Sequence, residues 1–190
     1  MTDITTKTTS INGIDTKALH ATIAAIAAQP SLGAAAFETR SDWLDDRRVR
    51  TTVDSFVAAG GRHTRPQAFE FDTDTPTALL GTDRGASPLE LALTALGSCI
   101  TTTLVAHAAA KGITLRAVNA HTLGDIDLRG FLNVAKVRVG YRKLEITITI
   151  DSDMDATETQ KFVHSGLQFS PVLDLFTSGT AIEVAAHTAA

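Results

Sequence analysis

The sequence predicts an α+β fold built from antiparallel strands and two principal helices. Strand-like segments follow one another between residues 34 and 73, a long apolar helix comes next, and further strands precede a shorter helix. Consecutive strands favour antiparallel pairing, whereas a doubly wound parallel sheet requires strands and helices to alternate. This order of elements therefore favours α+β over a parallel α/β architecture.

Length and composition are those of a protein with a substantial core. The chain has 190 residues, of which 44% are hydrophobic, which suits one domain or one domain with an extension. The net charge is −4 without any basic block, so nucleic acid is not an expected partner. One cysteine cannot close an intramolecular disulfide, and the first ten residues lack an apolar signal core, so we expect a cytoplasmic protein.

We divide the chain into an N-terminal extension, residues 1–33, and a main domain, residues 34–190. The extension carries a short helix that Asp15 caps and Pro30 closes. Its apolar residues fall on one face, namely Leu19, Ile23 and Ile26.

The main domain begins with a predicted strand near residues 34–45 and a hairpin from residue 49 to residue 74. Gly60-Gly61 supplies the turn of the hairpin, and Pro66 suits an edge or a bulge. Apolar residues at alternate positions mark the two strands, namely Val49, Val53, Val57, Phe69 and Phe71.

The long helix has the clearest boundaries in the sequence. Ser87 is the predicted N-cap, Pro88 the first helical residue, Glu90 the partner in a capping box, and Gly112 the stop. The helix is apolar nearly all round, so we expect it to be covered on most sides as a core helix, not to span a membrane.

Two strands and two helices are predicted after the long helix. Leu144, Ile146, Ile148 and Ile150 point to one side of the second strand. Asp155 caps the next helix, and Ser170 with Pro171 opens a further short helix. Residues 180–186 are predicted as a final strand.

Cys99 lies on the long helix and is the only cysteine in the chain. A thiol of ordinary pKa, about 8.5, is only a few per cent thiolate at pH 7, so a reactive thiol needs a stabilising neighbour such as an arginine. Its helical neighbours are mostly small or hydroxyl-bearing, namely Ala95, Leu96, Thr102 and Thr103. Composition alone favours simple packing for this residue.

Several motifs in order resemble the OsmC/Ohr family, the osmotically inducible and organic hydroperoxide resistance proteins. They are "SPLELALTALGSC", "HAAAKGI", "GDIDLRGFL" and "FSPVLDLFT", spread over about residues 34–186. The resemblance implies an OsmC-like fold, in which antiparallel sheets wrap around a long buried central helix and a second helix in an intertwined homodimer. It also implies a peroxiredoxin-like thiol peroxidase that reduces organic hydroperoxides with electrons from a dithiol. No metal or organic cofactor is implied.

The resemblance assigns the role of peroxidatic cysteine to Cys99. Ser170 stands where the family has its resolving cysteine, so an oxidised Cys99 would require an external thiol reductant. Leu89 stands at the position of the family's glutamate, and Glu90 follows one residue later, turned by about 100° on the helix. Glu90 is thus a candidate catalytic residue whose alternative role is the capping box. Arg47 is the candidate activating arginine, with Arg40, Arg48 and Arg65 as alternatives.

The sequence therefore predicts a one-cysteine thiol peroxidase with Cys99, Glu90 and Arg47 in its site and a hydroperoxide or other apolar molecule as ligand. The alternative is a non-catalytic OsmC-fold dimer that binds a small apolar ligand or acts as a thiol redox sensor. The six histidines lack paired ligand spacing, so no metal site is predicted. A hydrolase triad of Cys99, His164 and Asp174 has no supporting nucleophile motif, and "GTDRG" is too short for a phosphate loop.

Overall fold

The structure, a computed structural model, describes residues 10–188. Eight strands, all paired antiparallel, and five α-helices make up its regular structure. Of the described residues, 10–94 and 109–113 form one compact unit, and 95–108 and 114–188 form a second. The predicted α+β class is confirmed.

The first unit opens with two short strands, β1 (Ser10–Ile11) and β2 (Ile14–Asp15), and helix α1 (Thr16–Ala28). The Asp15 side chain accepts a hydrogen bond from the N–H of Ala18 at 3.0 Å, which confirms the predicted cap. A 3-10 turn at Pro30–Gly33 ends the segment, as the proline predicted.

A four-stranded sheet follows, with β5 (Arg48–Ala58) at its centre. β6 (Gly61–Thr73) pairs along β5, while β3 (Ala36–Phe37) and β4 (Arg40–Asp45) pair with its two ends. The hairpin is confirmed, although Ala58 pairs with Gly61, so the turn residues are Ala59 and Gly60 instead of Gly60 and Gly61. Both turn residues have positive φ, the conformation of a two-residue hairpin turn.

Pro66 lies in a bulge of the hairpin, as the sequence predicted. Val53 pairs with Phe69, and Ser55 pairs with Thr64, so four residues of β6 face one residue of β5. A proline has no N–H to donate to the ladder, and the bulge leaves this position outside it.

The long helix, α2 (Pro88–Ala110), follows a loop with a 3-10 turn at Thr77–Leu79. Its apolar face is fully buried, with Leu96, Ile100 and Leu104 at 0% exposure. Most other α2 residues are half-buried or exposed, so the single chain does not cover the helix on most sides, contrary to expectation. By length and composition alone α2 could also cross a membrane, a test that core helices of soluble proteins pass as well.

The second unit pairs β7 (Leu115–Asp125) with β8 (Lys143–Ser152). Burial alternates along β8, as predicted. The short helix α3 (Leu128–Phe131) lies between these strands in the chain, and α4 (Ala156–Leu167) and α5 (Pro171–Ser178) follow them. Asp155 and Glu158 form the predicted capping box of α4.

The final strand predicted at residues 180–186 is wrong. This segment has no regular structure, and Ile182 and Val184 are 84% and 87% exposed. Alternating apolar residues form a strand only where a neighbouring strand accepts their backbone hydrogen bonds. No described strand pairs with this segment.

Candidate functional site

Cys99 lies in the middle of α2, partly accessible and not in a disulfide. Two glycines fix the helix against its neighbours in the second unit. A Cβ at Gly97 would lie 3.4 Å from the Thr122 side chain of β7, and a Cβ at Gly166 would lie 2.6 Å from the Leu104 side chain. These close contacts, one before Cys99 at Gly97 and one after it at Leu104, therefore hold the turns of α2 that carry the sulfur.

Ser170 is in direct contact with the sulfur. Its hydroxyl donates to Cys99 Sγ at 3.3 Å, across a sequence separation of 71 residues. The same oxygen accepts the N–H of Leu173 at 3.4 Å and so caps α5, whose first residue is Pro171. Ser170 is 2% exposed, so this contact is shielded from water.

The residue before Ser170 is also anchored to α2. The Phe169 ring stacks on the His107 ring with 4.7 Å between centroids and 16° between planes. His107 and Cys99 are two turns apart on one helix, so the corner before α5 contacts α2 at both levels.

Two threonines close to Cys99 direct their hydroxyls away from the sulfur. Thr101 donates to the Gly97 carbonyl at 2.9 Å, and Thr102 donates to the carbonyls of Ser98 and Cys99 at 3.0 and 3.1 Å. These bonds turn both hydroxyls back onto the helix backbone. Ser170 therefore supplies the polar contact that Sγ makes among the described residues.

Glu90 fills the capping role that the sequence left as an alternative. Its carboxylate accepts the N–H and the hydroxyl of Ser87, each at 2.7 Å, and the hydroxyl of Ser87 accepts the Glu90 N–H at 3.3 Å. These bonds from Ser87 hold the pKa of the exposed Glu90 carboxyl below its usual value. Glu90 is thus an ionised cap of α2 at neutral pH.

Two of the four candidate arginines are neutralised by carboxylates. Arg48 pairs with Asp45 at 3.2 Å and with Asp72 at 3.5 Å. Arg40 lies 3.9 Å from an oxygen of Asp54. A guanidinium engaged in this way has little charge left to stabilise another anion.

The other two candidate arginines have no carboxylate partner among residues 10–188. Arg47, the residue predicted for the site, donates to the carbonyl of Leu79. The Arg65 guanidinium lies 4.9 Å from the centroid of Phe56 and 5.4 Å from that of Phe69, with Nη1 buried and unbonded. The aromatic stack holds Arg65 in place without cancelling its charge.

The segment "GTDRG" folds around a carboxylate of its own chain. Asp74, 1% exposed, accepts the N–H groups of Thr75, Thr82 and Arg84 and the hydroxyl of Thr82. The Thr82 hydroxyl and then the Arg84 N–H do most to hold the pKa of Asp74 well below its usual range. The donors that a phosphate would need are therefore already bonded to Asp74.

A polar cleft of about 330 Å³ lies in the four-stranded sheet, and no pattern in the sequence predicted it. Ser55 and Arg62 both donate to the Glu38 carboxylate, and Ser55 also bonds Asp54 at 3.0 Å. These groups satisfy one another, which is typical of a structural cluster.

The hydrolase triad and a metal centre find no support in the described part of the chain. The hydrogen-bond partner of Sγ is Ser170 and not His164, and Asp174 accepts the hydroxyl of Ser178 at 2.9 Å. Among residues 10–188 no three His, Cys, Asp or Glu side chains are grouped to hold a metal ion.

Several solved structures share the fold at low sequence identity. An OsmC-like protein from Mycoplasma pneumoniae is 20% identical over 75% of this chain and 87% of that chain, with a TM-score of 0.57. An organic hydroperoxide resistance protein from Elizabethkingia anophelis is 16% identical over 75% and 88%, with a TM-score of 0.52. A Legionella pneumophila structure of an organic hydroperoxide resistance protein OsmC is 14% identical over 75% and 90%, with a TM-score of 0.51.

No curated protein matches the chain. The family model for OsmC-like proteins matches residues 81–185, a segment that contains the capping box of α2, Cys99 and Ser170. This match covers more than half of the chain, and the structural neighbours have the same fold. The boundary at residues 33 and 34 stays a prediction, whereas the family is confirmed: the chain belongs to the OsmC-like protein family.

Proposed function

We propose that the protein detoxifies organic hydroperoxides as a one-cysteine thiol peroxidase with Cys99 as its nucleophile. The observation that carries the proposal is the environment of the sulfur: Cys99 is partly accessible, on a helix held by close packing, and accepts a hydrogen bond from Ser170. Family membership and neighbours named organic hydroperoxide resistance proteins support a role in peroxide detoxification or stress.

The proposed reaction has two halves. The Cys99 thiolate attacks one oxygen of the peroxide, the O–O bond breaks, and protonation of the leaving oxygen releases an alcohol and a cysteine sulfenic acid. An external thiol then displaces water from the sulfenic acid to form a mixed disulfide. A second thiol attacks that disulfide, restores Cys99 and releases the oxidised reductant.

An arginine is proposed to stabilise the thiolate, with Arg47 as first candidate and Arg65 as second. Both keep a positive charge without a carboxylate partner among the described residues, unlike Arg40 and Arg48. Glu90 is proposed to act chiefly as the cap that orients α2, because Ser87 holds its carboxylate. The chemistry requires no metal or organic cofactor.

We propose that the working unit is a homodimer. Only one face of α2 is buried within the chain, and large apolar side chains of the first unit are exposed, including Phe37 at 77%, Trp43 at 72% and Phe69 at 63%. A second copy that covered such surfaces would contribute favourable apolar burial. It would also line an apolar site for the organic part of the substrate. A reducing cytoplasm is the proposed location, since it supplies the thiols.

The test is the oxidation of Cys99 by a slight excess of cumene hydroperoxide. We expect a dimedone-trappable sulfenic acid within seconds in the unmodified protein and none in Cys99→Ser. Turnover with a dithiol should then consume one peroxide per dithiol oxidised. Oxidation of Cys99 no faster than that of free cysteine would exclude the peroxidase.

Arginine variants test the cation. Arg47→Ala and Arg65→Ala are compared with Arg62→Ala, whose charge is paired with Glu38. We expect replacement of the arginine at the site to lower the rate of oxidation by about tenfold or more, for a loss of about 1.4 kcal/mol or more of stabilisation. Equal rates in all three variants would remove the arginine from the mechanism.

A second candidate function is a non-catalytic or sensing member of the fold, which Ser170 and Leu89 favour because both depart from the family pattern. A sensor would form the sulfenic acid without sustained dithiol turnover. A module that only binds an apolar ligand would shield Cys99 from alkylation at every pH. The same oxidation and turnover measurements therefore separate the three functions.

A further inference from the structure

We propose that Ser170 is a positioning residue of the Cys99 site, whose buried hydroxyl holds the sulfur as thiolate before oxidation and as sulfenate afterwards. The inference rests on the proposed function for its chemistry. It gives Ser170 a role as hydrogen-bond donor, whereas the family resemblance implied only that a second cysteine is absent from this position.

The direction of the hydrogen bond supports this role. The Ser170 oxygen accepts the Leu173 N–H, which leaves its single hydrogen to donate to Cys99 Sγ at 3.3 Å. A hydrogen bond to a charged acceptor is stronger than one to a neutral acceptor, so this donor favours the thiolate over the thiol. With Ser170 at 2% exposure, bulk water competes little for the donor.

The donor is held in place before any reaction occurs. Pro171 fixes the backbone at the start of α5, and the stack of Phe169 on His107 ties the preceding residue to α2. A donor fixed by its surroundings stabilises charge without first having to reorient. The Leu173 N–H lies in the first turn of α5, where backbone N–H groups have no acceptor in the helix itself. Its hydrogen bond to the Ser170 oxygen further polarises the hydroxyl.

The same donor remains useful after oxidation. When the sulfenic acid at Cys99 loses its proton, the resulting sulfenate has a negative charge and acceptor lone pairs next to the Ser170 hydroxyl. Ser170 has no sulfur with which to displace water from the sulfenic acid, so no internal disulfide forms. The oxidised state is therefore expected to persist until an external thiol forms a mixed disulfide with Cys99, releasing water, and a second thiol reduces it.

Three variants isolate the hydroxyl from its capping role. Ser170→Ala removes the donor and the cap, Ser170→Thr keeps both, and Asp155→Ala removes a comparable cap from α4 without touching the sulfur. Circular dichroism verifies folding of each variant. The readouts are the rate of Cys99 alkylation against pH, the rate of oxidation by cumene hydroperoxide, and the lifetime of the dimedone-reactive species without thiol.

In Ser170→Ala we expect the pH of half-maximal alkylation to rise by about one unit, equivalent to about 1.4 kcal/mol. Oxidation at pH 7 should slow by about tenfold, and the sulfenic acid should be shorter-lived. Ser170→Thr should restore the unmodified behaviour, and Asp155→Ala should leave all three readouts unchanged. A Ser170→Ala variant with the unmodified alkylation profile would overturn the inference.

The two proposals fail in different ways. If the unmodified protein reacts with peroxide no faster than free cysteine but Ser170→Ala shifts the alkylation profile, the peroxidase is excluded and the contact between Ser170 and the thiolate stands. If the unmodified protein reacts rapidly and Ser170→Ala matches it in every readout, only the role of Ser170 is excluded.

Discussion

Replacement of Ser170 by cysteine should convert the site into a pair that closes a disulfide. Ser170 Oγ lies 3.3 Å from Cys99 Sγ, so a thiol in the same rotamer needs to move by only about 1.2 Å to reach the disulfide bond length of about 2.05 Å. In Ser170→Cys, a sulfenic acid at Cys99 should be attacked by the new thiol with loss of water. A dithiol should then reduce this internal disulfide by thiol–disulfide exchange, so no mixed disulfide forms directly from the sulfenic acid.

The bond should also stabilise the fold. It would close a loop that spans 71 residues of sequence separation. The chain-entropy relation for a loop of this length gives about 4.4 kcal/mol at 25 °C, an upper value because strain in the folded state subtracts from it. We therefore expect the oxidised variant to unfold at higher urea concentration than its reduced form.

The assay is intact mass under denaturing, non-reducing conditions after one equivalent of cumene hydroperoxide, followed by urea unfolding with and without dithiol. The control is Ser178→Cys, which adds a thiol at the far end of the same helix. A folded Ser170→Cys variant that forms no internal disulfide with peroxide or with diamide would refute the proximity of the two side chains. Equal disulfide formation in Ser178→Cys would show that the disulfide does not depend on the contact between residues 99 and 170.

Three other substitutions test the packing and electrostatics around the site. Asp74→Asn should lower the urea midpoint at pH 7 and flatten its fall in acid, because a carboxyl of lowered pKa stabilises the fold above its unfolded pKa of about 3.9 and loses this effect as pH falls. A midpoint that falls equally steeply in both proteins would contradict this. Gly166→Ala should cost about 1–3 kcal/mol against Leu104, and Leu104→Ala about 2–5 kcal/mol. Their double variant should cost less than the sum in urea unfolding, whereas strict additivity would refute the contact.

The caps and the alternating strand were predictable because their causes are local. Asp15, Ser87 and Asp155 each bond a backbone N–H three residues later, so a short window of sequence contains both partners. The alternation along β8 likewise reflects one half-buried and one exposed face of a single strand. Such features need no knowledge of the rest of the chain.

The errors concern partners that are remote in sequence. The segment at residues 180–186 has the alternation of a strand but pairs with no described strand. The apolar residues on nearly all sides of α2 predicted cover on most sides, whereas the single chain buries one face of the helix. Both patterns show that a segment could be buried or could pair with a strand. Whether it does so depends on which other elements lie next to it.

Among the candidate site residues, local rules also anticipated the Glu90 cap, but the choice among the arginines required contacts across the sheet. Arg40 and Arg48 are paired with carboxylates, whereas Arg65 lies between two aromatic rings contributed by different strands. The spacing of residues in the sequence does not reveal which carboxylate pairs with which arginine.

The sequence by itself determined the capping box that opens α2, the family motifs and the position of Cys99 as the chain's only cysteine. The resemblance to the OsmC/Ohr family also implied that Ser170 stands at the position of a second cysteine. Only the tertiary structure decided that the Ser170 hydroxyl donates to Cys99 Sγ while it caps α5. The physical reason is that a contact across 71 residues depends on how α2, α4 and the corner before α5 pack, at Leu104 against Gly166 and at His107 against Phe169.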